Sequence, residues 1–151
     1  MDDSYRALNG VLVELFKDIM DIEEDAIVTG EFQDISNNDM HIIEAIGMDS
    51  PQNMSSIAKK MSVTMGTLTI SMNSLVKKGY VSRERSEKDR RVVYIRLTEK
   101  GKRAYHHHAS FHQEMIEAVM RGLDEDELRV LVTALVQLKE FFVNYKEKHG
   151  Q

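Results

Sequence analysis

Thr64-Met65-Gly66-Thr67-Leu68-Thr69-Ile70-Ser71-Met72-Asn73-Ser74-Leu75-Val76-Lys77-Lys78-Gly79 reads as one helix with both ends marked. Thr64 carries the hydroxyl an N-cap needs, and Gly79 suits the position just past a helix end, where the backbone turns left-handed. Leu68, Met72 and Leu75 recur at helical spacing and form the inward face. Met65, Gly66, Thr67, Thr69, Ile70 and Asn73 then point outward. Just upstream, Asn53 can cap a short helix to Met61, with Ile57 and Met61 one turn apart and Ala58 small enough for close packing. Just downstream, residues 80–85 and 91–98 predict two strands, with Val93, Ile95 and Leu97 alternating against polar or aromatic neighbours. Ser86-Glu87-Lys88-Asp89-Arg90 joins them as a hairpin loop.

Further out, Ser36 caps a helix over residues 36–48, with Asp39 three residues on and Met40, Ile43 and Ile46 inward. Asp49-Ser50-Pro51-Gln52 makes the following turn. Thr98 caps a long helix that carries Gly101 in its first turn and runs to about Gly122. At the N-terminus, Tyr5, Leu8, Leu12, Leu15, Ile19 and Ile22 form one helical stripe, widened by Val11, Phe16 and Met20, with Gly30 as its expected end. Leu128, Leu131, Leu135, Leu138, Phe142 and Tyr145 repeat that rhythm after an Asp124-x-x-Glu127 capping box. Such stripes can pack on the rest of the monomer. Their excess over what a chain this size can cover favours a dimer seam. The fold class expected is mainly α with a small β-hairpin: a winged helix-turn-helix embedded in a helical dimerisation lobe.

Charge points to the same block. The 151 residues carry a net charge of −5, yet residues 52–105 hold 13 Lys/Arg against 4 Asp/Glu, a balance of +9, and the remainder carries −14. A basic block in an acidic frame suits a polyanion such as double-stranded DNA. The absence of cysteine excludes disulfides, thiolate metal sites and thiol-based sensing. No apolar run approaches a membrane span and no signal-peptide pattern opens the chain, so a cytoplasmic protein without membrane contact is expected. No His-Glu-x-x-His pair, glycine-rich phosphate loop or nucleophile elbow is present, so no enzyme is expected.

In a winged helix-turn-helix the second helix enters the major groove and the hairpin reaches the backbone or the minor groove. The outward face of residues 64–77 suits a groove. Its small residues allow close approach, its hydroxyls suit phosphate or base contacts, and Asn73 can pair bidentately with adenine. Met65 and Ile70 suit thymine methyl groups, and no arginine is present to read guanine, so an AT-rich target is expected. The alternatives, a generic surface helix and a merely solvated charged hairpin, leave the exposed Met65 and Ile70 and the clustering of Arg83, Arg85, Lys88, Arg90, Arg91 and Arg96 without a purpose.

Asp89-Arg90-Arg91-Val92-Val93-Tyr94-Ile95-Arg96-Leu97-Thr98-Glu99-Lys100-Gly101, with Leu75-Val76-Lys77-Lys78-Gly79-Tyr80-Val81 before it, resembles the wing signature of MarR-type transcriptional regulators. The resemblance runs over nearly the whole chain. It implies a single domain over residues 1–151, with dimerisation helices at 4–30 and 99–149, a DNA-binding lobe at 36–98, and a homodimer on a palindromic operator. It implies DNA contacts at Thr64, Met65, Gly66, Thr67, Thr69, Ile70, Asn73, Lys77, Arg83, Arg85, Lys88, Arg90 and Arg91, with Asp89 bracing Arg91 and Arg90 reaching the minor groove.

Within that family, Phe32-Gln33-Asp34-Ile35-Ser36, Met40-His41, Val63-Thr64-Met65-Gly66-Thr67-Leu68-Thr69 and Phe111-His112 are similar to the repressors of fatty-acid (membrane-lipid) synthesis in Gram-positive bacteria. That likeness implies acyl-acyl-carrier-protein as co-repressor and no obligatory cofactor. An acyl chain needs an apolar slot, for which Phe16, Ile19, Met20, Phe32, Met40, Ile43 and Phe111 are candidates; each is equally suited to plain core. A rival constellation resembles the zinc-dependent branch of the same family: Glu24, His41, and His108 with His112 one helical turn apart.

Overall fold

The computed structural model describes residues 3–27 and 30–150, without the side chains of Glu24 and Ile27. Contacts divide the chain into two compact units, Met1–Phe111 and His112–Gln151, described separately below. That division falls inside one helix, on a different line from the expected functional lobes.

The first unit opens with helix α1 (Asp3–Ile27) and a short 3-10 turn (Gly30–Phe32). Gly30, the expected end of the first helix, instead begins that turn, with φ of 55°. Helix α2 (Asn37–Ile46) starts from the expected cap: Ser36 Oγ accepts from the Asp39 amide at 3.2 Å, and Asp39 Oδ2 accepts from the Ser36 amide at 3.2 Å. Helix α3 (Met54–Met61) is capped by Asn53, whose Oδ1 accepts from the Ser56 amide at 2.8 Å. Helix α4 (Met65–Lys77) is capped by Thr64, and the chain leaves it through Gly79 at φ 82°.

Strands β2 (Val81–Arg85) and β3 (Val93–Leu97) pair antiparallel, Val81 opposite Leu97 and Arg85 opposite Val93. A third strand, β1 (Gln52–Asn53), pairs with β3 on its other side, giving the order β1-β3-β2. The hairpin expected from sequence is thus a three-stranded sheet. Two residues beside Pro51 are too short to show an alternation, so β1 has no pattern to read.

Helix α5 (Glu99–Met120) begins where Thr98 Oγ1 accepts from the Gly101 amide at 3.1 Å. Met40, Ile42, Ile43 and Ile46 of α2 pack with Ile57 of α3 and with Leu68, Met72 and Leu75 of α4. Tyr80 and Ile95 complete that core, every member at most 2% exposed. Each such side chain contributes roughly 1.5–3 kcal/mol by leaving water.

In the second unit, helix α6 (Glu125–His149) is capped by Asp124, which accepts from the Asp126 and Glu127 amides, while Glu127 accepts from the Asp124 amide. No residue of α6 is buried, and Leu135, Phe142 and Tyr145 of its stripe are at least half exposed. Leu8, Phe16 and Met20 of α1 are likewise exposed. Both terminal stripes therefore present apolar surface. Among the described residues no helix is long and apolar enough to cross a membrane.

Candidate nucleic-acid interface

Burial of Leu68, Met72 and Leu75 fixes how α4 is rotated, and the opposite face is open. Thr64, Met65, Gly66, Thr67, Thr69, Ile70, Asn73 and Lys77 are all exposed, Ile70 at 74%. Two of the hydroxyls are oriented by local bonds. Thr64 Oγ1 accepts from the Thr67 amide and donates to Thr67 Oγ1 at 3.0 Å, and Thr69 Oγ1 donates to the Met65 carbonyl at 2.7 Å. Each keeps accepting capacity for a donor brought from outside.

The wing carries the remaining cations, Arg83, Arg85, Lys88, Arg90 and Arg91, all exposed. Its loop is built by two short side chains. Ser86 Oγ accepts from the Lys88 and Asp89 amides, and Asp89 Oδ1 accepts from the Arg91 amide at 3.0 Å and from Arg91 Nε at 3.3 Å. Asp89 therefore holds Arg91 within the loop, and Arg90 stands exposed at the turn. Between α4 and the strands lies an open cleft of about 380 Å³, lined by Met54, Thr69, Arg83, Arg85 and Val93. A cationic rim over an apolar floor suits a sugar-phosphate chain beside a base edge.

A second group of titratable side chains lies in the first unit. His108 is 1% exposed, and its Nε2 stands 3.5 Å from Glu23 Oε1 and 3.3 Å from Glu44 Oε1. His41 Nδ1 is 3.4 Å from Glu44 Oε2. Of the residues expected to hold zinc, His41 and His108 are thus brought together, and His112 follows His108 by one turn of α5. The side chain of Glu24 lies outside the described residues; among the described residues, Glu23 of the first helix stands beside His108. Sequence reading missed Glu23 and Glu44. The i, i+3 spacing of His41 and Glu44 on α2 was the available signal for the second.

The residues expected to line an acyl slot are dispersed in burial. Phe32, Met40 and Ile43 lie in the closed core, Ile19 and Phe111 are half-buried, and Phe16 and Met20 are exposed. Met20 borders an open cleft of about 430 Å³ with Lys17, Asp21, Ser36, Asn37 and Asn38.

Comparison with known proteins gives a consistent picture. A family model described as transcriptional regulator SarA/Rot matches residues 31–108. The structure of Streptococcus pneumoniae FabT in complex with DNA is 39% identical, with a TM-score of 0.84, over 94% of this chain and 99% of that one. The HTH-type regulator SarZ of Staphylococcus saprophyticus is 30% identical over 73% of this chain and 69% of its own length. A Staphylococcus aureus MepR variant bound to an oligodeoxyribonucleotide shares the fold at 20% identity and a TM-score of 0.62, over 93% of this chain and 99% of that one. The chain spans 54% and 60% of the length of two Bacillus subtilis HTH-type regulators, YhjH and PchR, that it also matches.

Proposed function

We propose that this chain, which belongs to the MarR family of winged-helix DNA-binding transcriptional regulators, is a homodimeric repressor of fatty-acid synthesis genes with acyl-acyl-carrier-protein as its co-repressor. The family and fold are those of regulators, not of enzymes. The observation that carries the finer reading is the likeness to FabT over nearly the full length of both chains. The exposed stripes of α1 and α6 support the dimer, because apolar faces of this extent are covered in a stable protein.

In the dimer each α4 enters a major groove, with successive half-sites roughly 34 Å apart on B-DNA. Asn73, Met65 and Ile70 read an AT-rich half-site, and Lys77 with the wing cations holds the phosphates. The +9 block, which holds α4 and the wing, attracts the DNA and the −14 remainder repels it, which orients the encounter. An acyl chain docks near Phe16, Ile19, Met20 and Phe111, against the closed core that Phe32, Met40 and Ile43 fill. Its acidic carrier keeps to basic surface rather than the acidic frame. By changing the spacing between the two α4 helices, this ligand changes operator affinity.

The test is a gel-shift titration on a duplex that the protein itself selects from a random pool. Long-chain acyl-carrier protein is expected to tighten binding by roughly 5- to 150-fold, the range of ordinary allosteric coupling, and the unacylated carrier to leave it unchanged. An unchanged affinity with the acylated carrier would remove the co-repressor assignment. Selected sites dominated by G·C half-sites would remove the base contacts given to α4.

One observation favours a second reading, zinc-responsive repression. His41, Glu44 and His108 offer ligand atoms within 4.8 Å of one another, and the donor set fits a borderline ion. Two atoms each about 2.0–2.1 Å from a tetrahedral zinc ion lie roughly 3.3 Å apart, near the 3.3 Å between His108 Nε2 and Glu44 Oε1. The ion would neutralise the carboxylates gathered round a buried imidazole. On this reading zinc titration gives saturable binding that His41→Ala and His108→Ala weaken alike, and a chelator abolishes operator binding. Unchanged operator affinity in chelator excludes it.

A further inference from the structure

The junction between α4 and the wing carries a polar cluster built from residues outside the exposed face of α4. Tyr80, the residue after Gly79, has a fully buried ring next to Phe32, with centroids 6.4 Å apart. Its hydroxyl donates to Asp34 Oδ1 at 2.5 Å. Lys100 Nζ lies 4.1 Å above the Tyr80 ring, 3.6 Å from Asp34 Oδ2, and donates to the Lys78 carbonyl at 3.1 Å. Lys78 Nζ in turn reaches Asp39 Oδ2 at 3.0 Å, on the carboxylate that also closes the α2 cap. Thr98 adds two bonds, from its hydroxyl to the Gly79 carbonyl and from its amide to the Tyr80 carbonyl. Three consecutive residues, Lys78, Gly79 and Tyr80, are thereby tied to the segment before α2, to the first turn of α2 and to the start of α5.

We propose that Asp34, Tyr80 and Lys100 are positioning residues for DNA recognition: they clamp the α4–wing junction to the segment entering α2 and so set where α4 stands in the groove. This rests on the reading of α4 as the base-reading helix. Base readout depends on placing a few short side chains within about 0.5 Å, because hydrogen bonds to base edges fail when misplaced. Phosphate contacts from long arginine and lysine side chains tolerate such shifts. A loosened junction therefore costs sequence-specific affinity and spares non-specific affinity. The donor is dependable. Burial first, and then the Asp34 bond, push the Tyr80 phenol above its usual range, while the Tyr80 bond and Lys100 hold the Asp34 carboxyl below its own. Across neutral pH the pair stays a protonated phenol on a carboxylate.

Tyr80→Phe isolates the effect, since the ring keeps its packing and only the hydroxyl is lost. Asp34→Asn keeps an oxygen acceptor and serves as the conservative rescue, and Asp34→Ala removes the acceptor. Binding is measured on a duplex selected by the wild-type protein and on a shuffled duplex of the same length, at several salt concentrations, with circular dichroism confirming folded protein. Tyr80→Phe and Asp34→Ala are expected to lose about tenfold on the selected duplex, the worth of one good base contact. Binding to the shuffled duplex and the salt slope stay unchanged, and Asp34→Asn stays close to wild type. Equal losses on both duplexes, or none on either, would overturn the proposal while leaving α4 as the reading helix. A wild-type protein that binds both duplexes alike would overturn that reading, and the proposal with it.

Discussion

Replacing Gly101 with alanine is expected to destabilise the fold by about 3 kcal/mol or more, since overpacking against rigid neighbours costs 1–3 kcal/mol and sometimes more. Helix propensity alone gives the opposite sign, because alanine inside a helix is favoured over glycine by about 1 kcal/mol. Sterics decide the outcome. A Cβ on Gly101 would sit 2.1 Å from the Tyr80 carbonyl oxygen and 3.3 Å from Leu97 Cβ. The nearest obstacle is backbone, held by the Thr98 amide at 3.0 Å, so relief requires α5 to lift off the sheet. Against a total stability of about 5–15 kcal/mol, that loss is large. Denaturant unfolding checks it: the midpoint is expected to fall with little change of slope. An unshifted or raised midpoint would show that α5 approaches the wing less closely than described.

Arg90→Ala is expected to weaken binding to every DNA sequence by about tenfold and to flatten its salt dependence. Arg90 is exposed at the turn of a loop that Ser86 and Asp89 hold in shape, so its removal leaves the wing intact. The proposed dimer presents the residue twice. Each phosphate contact contributes about 0.9 to the slope of log affinity against log salt, so the slope should fall by nearly two. Selected and shuffled duplexes should lose alike. An unchanged slope would take Arg90 out of the interface. A loss confined to the selected duplex would show that Arg90 reads the narrow minor groove of that site, as the resemblance implies, and not the phosphates common to all DNA.

Much of this architecture is legible locally. Ser36, Asn53, Thr64, Thr98 and Asp124 each mark a helix start because capping is a matter of three or four residues, and each is found bonded as its chemistry requires. The rotation of α4 is equally legible, since Leu68, Met72 and Leu75 leave only one face for solvent. What escapes is non-local. Tyr80 and Asp34 are 46 residues apart and Lys78 and Asp39 are 39 apart, so nothing in either neighbourhood predicts their bonds. Glu23 beside His108 is non-local in the same way, 85 residues away along the chain, so its neighbourhood gives no signal of that contact. Burial of the acyl candidates escapes for a second reason. Phe32, Met40 and Ile43 have the same composition whether they line a slot or fill a core, and here they fill it.

Operator recognition as proposed requires a dimer that places two α4 helices on one duplex. Native mass spectrometry of the protein with its self-selected duplex, at moderate salt and again at high salt, tests this most directly. Two chains per duplex, dissociating as salt rises, is the predicted result. One chain per duplex, or no complex at any salt, would contradict it.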